Sequence, residues 1–143
     1  DMPTLTFNRI GRHISRVVRT RLVSAASPWA LDPSVIDPRL HLVPVSHGEG
    51  RFVVSAELAE KLFANGQVFS QYVDEFGIPA VAEPDNPNGS AYAIEGITSP
   101  DGRVLGKMGH SERWEENVFK NISGECRQSI FENAVSYFNS NEE

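Results

Sequence analysis

With 143 residues, 40% hydrophobic and 22% charged, the chain suits one compact globular domain with a single core and leaves little room for a second. A net charge of −6 argues against non-specific binding to nucleic acid or to an anionic membrane surface. No apolar run approaches membrane-spanning length, no charged-then-apolar leader opens the chain, and Cys126 is the only cysteine. A lone cysteine forms no intramolecular disulfide, so the expected setting is cytoplasmic.

The opening Asp1-Met2-Pro3 has no obvious start and reads as an internal piece of a longer chain. From Ile14 to Val23 the run ISRVVRTRLV is rich in β-branched residues and arginine, which predicts a strand with one wet face. Pro28 and the Asp32-Pro33 and Asp37-Pro38 steps then remove backbone donors and predict a loop. His41 to Val45 (HLVPV) is short and apolar, as a buried central strand would be. It ends in the turn Ser46-His47-Gly48-Glu49-Gly50.

Ser55 is placed to cap a helix with Leu58, Ala59, Leu62 and Phe63 on one face and Gly66 at its end. Gln67 to Val73 reads as another strand, and Asp85 to Ser90 (DNPNGS) as a dense turn. Ala91 to Thr98 and Arg103 to Met108 predict a hairpin across Ser99-Pro100-Asp101-Gly102. A last helix over 127–138 places Ile130, Phe131, Ala134, Val135 and Phe138 on one stripe. Strands mixed with amphipathic helices indicate an α/β or mixed-sheet domain. Loose patterning in the first third suggests that upstream residues pack there.

Chemistry concentrates at strand ends. In Gly109-His110-Ser111-Glu112-Arg113, residues two apart share a face if the chain stays extended. A carboxylate beside an imidazole fixes its tautomer, the arrangement a general base needs when serving a nucleophile. As a bare pattern, His-x-Glu more often describes a surface histidine beside a chance acid. In Ser46-His47-Gly48-Glu49-Gly50, free N–H groups of a glycine turn could hold a ligand carboxylate and Glu49 its ammonium. A sharp turn with a locally bonded histidine fits as well. Asn86 to Ser90 reads as a turn. Cys126 lies in a polar loop beside Glu125, which disfavours a thiolate, and no strained glycine elbow presents it. His47, Glu49, His110 and Glu112 together would suit zinc or iron, but the spacing does not demand a metal.

The segments PVSHGEGRF, NPNGSAYAIEGITSPDGRVLGKMGHSER and NVFKN, in this order, resemble the C-terminal part of the class I glutamine amidotransferase domain of phosphoribosylformylglycinamidine synthases. The likeness runs from Thr4 to the final helix, and the GHSER spelling favours the large single-chain type over the small separate subunit. It implies a flavodoxin-like α/β domain with a mixed sheet, represented here by residues 1–143 as a partial glutaminase domain lacking the upstream nucleophile elbow. It also implies that His110 shuttles the proton, that Glu112 orients His110, and that Ser46, His47, Gly48 and Glu49 contact the two ends of glutamine. The partners implied are glutamine and the remainder of the synthase, with neither nucleic acid nor membrane. Ammonia would pass to a separate domain using ATP and magnesium, where formylglycinamide ribonucleotide becomes formylglycinamidine ribonucleotide in purine synthesis; no cofactor is expected in this chain. Without the cysteine elbow, the polypeptide alone is expected to be inactive. A reading from a different class is a binding or assembly module that docks to a separate N-terminal half or to itself.

Overall fold

The computed structural model describes residues 2–30 and 36–140. Its strands are β1 (Thr4–Thr6), β2 (Ile14–Leu22), β3 (Leu40–His47), β4 (Arg51–Val53), β5 (Val68–Tyr72), β6 (Ile94–Thr98) and β7 (Leu105–Lys107), with helices α1 (Ala56–Ala64) and α2 (Ile130–Ser140). Five strands form a sheet in the order β3-β2-β5-β6-β7, and β1 pairs with β4 beside it. Every ladder is antiparallel. The α/β class expected from the sequence holds. Within these residues, however, the mixed character of the sheet is reduced to one isolated parallel bridge, His41 to Glu125. The step from Asp32 to Pro33 lies outside the described residues.

The position of β3 corrects the central placement suggested by its apolar run. Along Leu40–Val45 burial alternates with period two, His41, Val43 and Val45 facing the core. Yet β3 is the first strand of the sheet, and Pro44 explains why: lacking an N–H, proline suits an edge. The Pro44 carbonyl accepts the His110 N–H at 2.8 Å, and the Leu42 N–H reaches the Glu125 carbonyl at 2.8 Å. Residues that follow β7 therefore cover the outer edge of β3, with a bridge from Val45 to Gly109. The sheet curls until its two ends meet. The central strand is instead β5, buried along its whole length.

Helix α1 forms where the sequence places it. The Ser55 hydroxyl accepts the Leu58 N–H, Glu57 and Lys61 pair at 2.7 Å one turn apart, and Gly66 leaves the helix at φ +67°. Ala59 and Leu62 are buried, and Leu62 packs with Phe52, Val68 and Ile94. Helix α2 begins three residues later than expected, and its apolar stripe divides. Ile130 and Ala134 are buried, Ile130 against Ala25, Ala30 and Phe69, whereas Phe131 and Val135 face outward. Only the narrow i, i+4 line meets the sheet.

Candidate active site

The turn after β3 is held by side chains from two other segments. Asn8 is buried; its amide donates to the carbonyls of Arg12 (3.0 Å) and His47 (2.7 Å), while its oxygen accepts the Gly50 N–H at 3.1 Å. From the other side, Asn88 donates to the Gly50 carbonyl and to the Tyr72 hydroxyl, the latter at 3.0 Å. A Cβ on Gly50 would come within 2.3 Å of the His47 ring, so this close approach requires glycine. The Gly50 N–H is thus committed to Asn8 and is not among the free N–H groups expected of this turn. Among the described residues, no hydrogen bond engages the Glu49 N–H, and the space beside Gly48 is open.

Asn86-Pro87-Asn88-Gly89-Ser90 is a turn, as expected, but a buried one. Asn86 donates to the carbonyls of Ala80 (3.0 Å) and Ser90 (2.9 Å) and accepts the Ser90 N–H (3.0 Å). The Ser90 hydroxyl accepts the Phe52 N–H at 3.1 Å. The third motif therefore underpins the second, through Gly50.

At the end of β7 the chain does not stay extended. His110 has φ −90° and ψ 81°, and a 3-10 turn follows over Ser111–Arg113. The two side chains nevertheless meet: His110 Nδ1 lies 2.6 Å from Glu112 Oε1. A carboxylate only accepts, so Nδ1 carries the proton and donates it, which leaves the lone pair of the neutral ring on Nε2. Among the described residues, no hydrogen bond engages that nitrogen. Both groups remain partly exposed, at 31% for His110 and 55% for Glu112. Burial pushes the Glu112 carboxyl up, but its backbone hydrogen bond and the His110 ring hold it below the usual value.

The two motifs converge because the curled sheet brings Gly109 against Val45. His47, two residues beyond Val45, is held neutral chiefly by burial, with the charges of His13 and His110 adding to the effect. His13 Nε2 also lies 3.2 Å from the Ser46 hydroxyl. Glu49 is exposed at the rim. Of the turn residues, His47 is the one whose charge state His110 influences.

Sequence reasoning missed what lies beneath. Glu95 is buried, and its carboxylate accepts the Gly109 N–H at 2.6 Å and the Ser70 hydroxyl. Lys107 Nζ stands 3.4 Å from Glu95. It donates to the Gly109 carbonyl (3.1 Å), the Ser111 hydroxyl (2.9 Å) and Gln128 (3.2 Å). A usable signal was present: one acid and one lysine within the two otherwise apolar strands of a hairpin. A side chain at Gly109 would meet this carboxylate and Val43, 2.8 and 2.7 Å from where a Cβ would stand.

Cys126 bonds only weakly, to the Gly124 carbonyl at 3.8 Å, and burial together with Glu125 pushes its thiol up. Among the described residues, no group of three or more His, Cys, Asp or Glu side chains could hold a metal ion, and no helix is long and apolar enough to cross a membrane.

The structure thus defines an α/β domain with a curled antiparallel sheet and, at one end of it, an imidazole oriented by a carboxylate. The chain belongs to the CobB/CobQ-like glutamine amidotransferase domain family, whose model matches residues 1–138. It is 31% identical over 134 residues to phosphoribosylformylglycinamidine synthase subunit PurQ of Salinibacter ruber, covering 94% of this chain and 54% of that protein. It is 44% identical over 95 residues to the PurQ subunit of Chlorobaculum parvum, covering 66% of this chain and 36% of that one. Its fold matches the structure of PurLQS from Thermotoga maritima with a TM-score of 0.66 at 24% identity, over 96% of this chain and 54% of the other. The chain spans about half the length of these relatives.

Proposed function

We propose that this chain carries the histidine–glutamate half of a glutaminase site that supplies ammonia to phosphoribosylformylglycinamidine synthase. His110 takes the proton from a cysteine thiol outside these residues and returns it to the departing amide nitrogen; Glu112 holds the ring for both steps. Ser46, His47, Gly48 and Glu49 bind the α-carboxylate and α-amino ends of glutamine. The ammonia then serves ATP- and magnesium-dependent conversion of formylglycinamide ribonucleotide to formylglycinamidine ribonucleotide in another domain. The setting is cytoplasmic, and the GHSER spelling favours a large single-chain parent.

The observation that carries this reading is the 2.6 Å bond from His110 Nδ1 to Glu112, which leaves Nε2 available on a partly exposed ring. Family membership and PurQ relatives support the reaction class. Cys126 is unsuited to be the nucleophile, because its thiol is pushed up rather than down.

The test combines the purified chain with the N-terminal half of a PurQ-type domain and measures glutamate release from glutamine. Release is expected only from the mixture, is abolished by thiol alkylation of the added half, and is lost with His110→Ala. Glutamate release by the chain alone, or an associated mixture that remains inert, would overturn the proposal. Self-association without any gain of hydrolysis would instead favour a non-catalytic assembly module.

A further inference from the structure

His110 is held from behind by groups that never face the site. Its own N–H is taken by Pro44, but the residues on either side of it are held by one buried ion pair. Glu95 accepts the Gly109 N–H; Lys107 donates to the Gly109 carbonyl and to the Ser111 hydroxyl. The side chains are 0% exposed for Glu95 and 9% for Lys107. Such burial of two charges is tolerated only where their remaining hydrogen-bonding capacity is used. Here it is used. Glu95 also accepts from Ser70 on the central strand, and Lys107 also reaches Gln128, which in turn accepts the Ser111 hydroxyl.

We infer that Glu95 and Lys107 are positioning residues that fix the backbone on both sides of His110 and so aim its ring, a role that rests on the glutaminase reading given above. His110 caps the 3-10 turn that holds Glu112, and beyond the bridge from Val45 to Gly109 and the bond to Pro44 no ladder sets the direction of the imidazole. The ion pair supplies that constraint. Glu95 lies on β6 and Lys107 on β7, both inside the curled sheet, so the rigidity of the sheet reaches the turn through them. Gly109 is part of the same device. A side chain there would displace the Glu95 carboxylate, which stands 2.8 Å from the Cβ position. Both residues are buried and bond to Gly109, Ser111, Gln128 and Ser70 rather than to the side chains of the partly exposed dyad.

The experiment compares Lys107→Met, Glu95→Gln and the double variant Glu95→Gln/Lys107→Met in two measurements. Nitrogen-15 NMR of the ring in the 143-residue chain reports the His110 Nδ1–H proton and its exchange rate. Glutamine hydrolysis after combination with the nucleophile-bearing half reports kcat and KM. Lys107→Met is expected to broaden or lose the Nδ1–H signal and to lower kcat about 10- to 100-fold with KM within about twofold, as for a misaimed base. The double variant leaves no lone buried charge and regains the unfolding midpoint of the wild type while kcat stays low. Should a single variant fail to fold, the double variant carries the comparison.

Wild-type Nδ1–H signal and kcat in a folded double variant would overturn the inference. Recovery of kcat in parallel with stability would also overturn it, reducing the pair to a structural role. Failure of the wild-type mixture to hydrolyse glutamine would sink the glutaminase reading instead; the NMR comparison would still decide whether the pair aims the ring.

Discussion

The Asn8 side-chain oxygen lies 3.1 Å from His47 Nδ1, and this contact fixes the proton on the imidazole. Both N–H groups of the Asn8 amide are engaged by the carbonyls of Arg12 and His47, so the atom facing the ring is an acceptor. His47 Nδ1 must then donate, and Nε2 carries the lone pair. That nitrogen is buried and, among the described residues, has no hydrogen-bond partner. At His110 the partner of Nδ1 is instead a carboxylate, that of Glu112. A carboxylate stabilises a protonated ring and an amide does not.

Removal of the amide is expected to loosen the glycine turn. Asn8→Ala leaves the Gly50 N–H and the His47 carbonyl without their partner and should cost about 2–3 kcal/mol in urea unfolding, given the usual penalty for stranding buried polar groups. An unchanged midpoint would show that Asn8 does not organise this turn.

In the reconstituted domain, Glu112→Gln is expected to lower kcat about 100-fold or more with little change in KM. A neutral amide neither fixes the same tautomer as firmly nor stabilises the imidazolium. Steady-state hydrolysis of glutamine checks this, and equal losses in binding and turnover would contradict an orienting role.

Cys126→Ser should leave reconstituted hydrolysis within about twofold of the wild type. Its thiol is raised by burial and by Glu125, so it is not the nucleophile that the proposed chemistry needs. A large loss of activity in this variant would force a different assignment.

Stability is expected to fall as pH drops from 7 to 5. Burial is the largest influence on both His41 and His47 and pushes each below the ordinary 6.5; Asp37 opposes this in part at His41. The unfolded chain takes up these protons near the ordinary value while the folded chain resists, so the contribution is full above about pH 6.5 and is lost as pH falls below it. Asp37 and Glu112 titrate lower, from ordinary values of 3.8 and 4.5 that the fold depresses further. Urea midpoints at several pH values test the prediction, and His41→Asn should flatten the profile. A midpoint constant across this range would count against it.

Ala at Gly50 is expected to disrupt the turn, since its Cβ would fall 2.3 Å from the His47 ring. Ala at Gly48 meets open space and should leave stability within about 0.5 kcal/mol. Thermal melts of the two variants, side by side, distinguish close packing from general turn flexibility.

By itself, the sequence determined whatever depends on neighbours along the chain. Ser55 and Gly66 bound α1 because caps act within one turn. The β-branched run 14–23 is a strand, the hairpin turns at 99–102, and His110 reaches Glu112 because two residues of separation suffice even through a 3-10 turn. Tertiary structure decided what depends on distant partners. It placed β3 at an edge covered by residues that follow β7, committed Gly50 to Asn8, turned Phe131 and Val135 outward, and buried Glu95 beside Lys107. These outcomes follow from the curl of one sheet, and curl is set by packing among strands far apart in sequence, which no local pattern encodes.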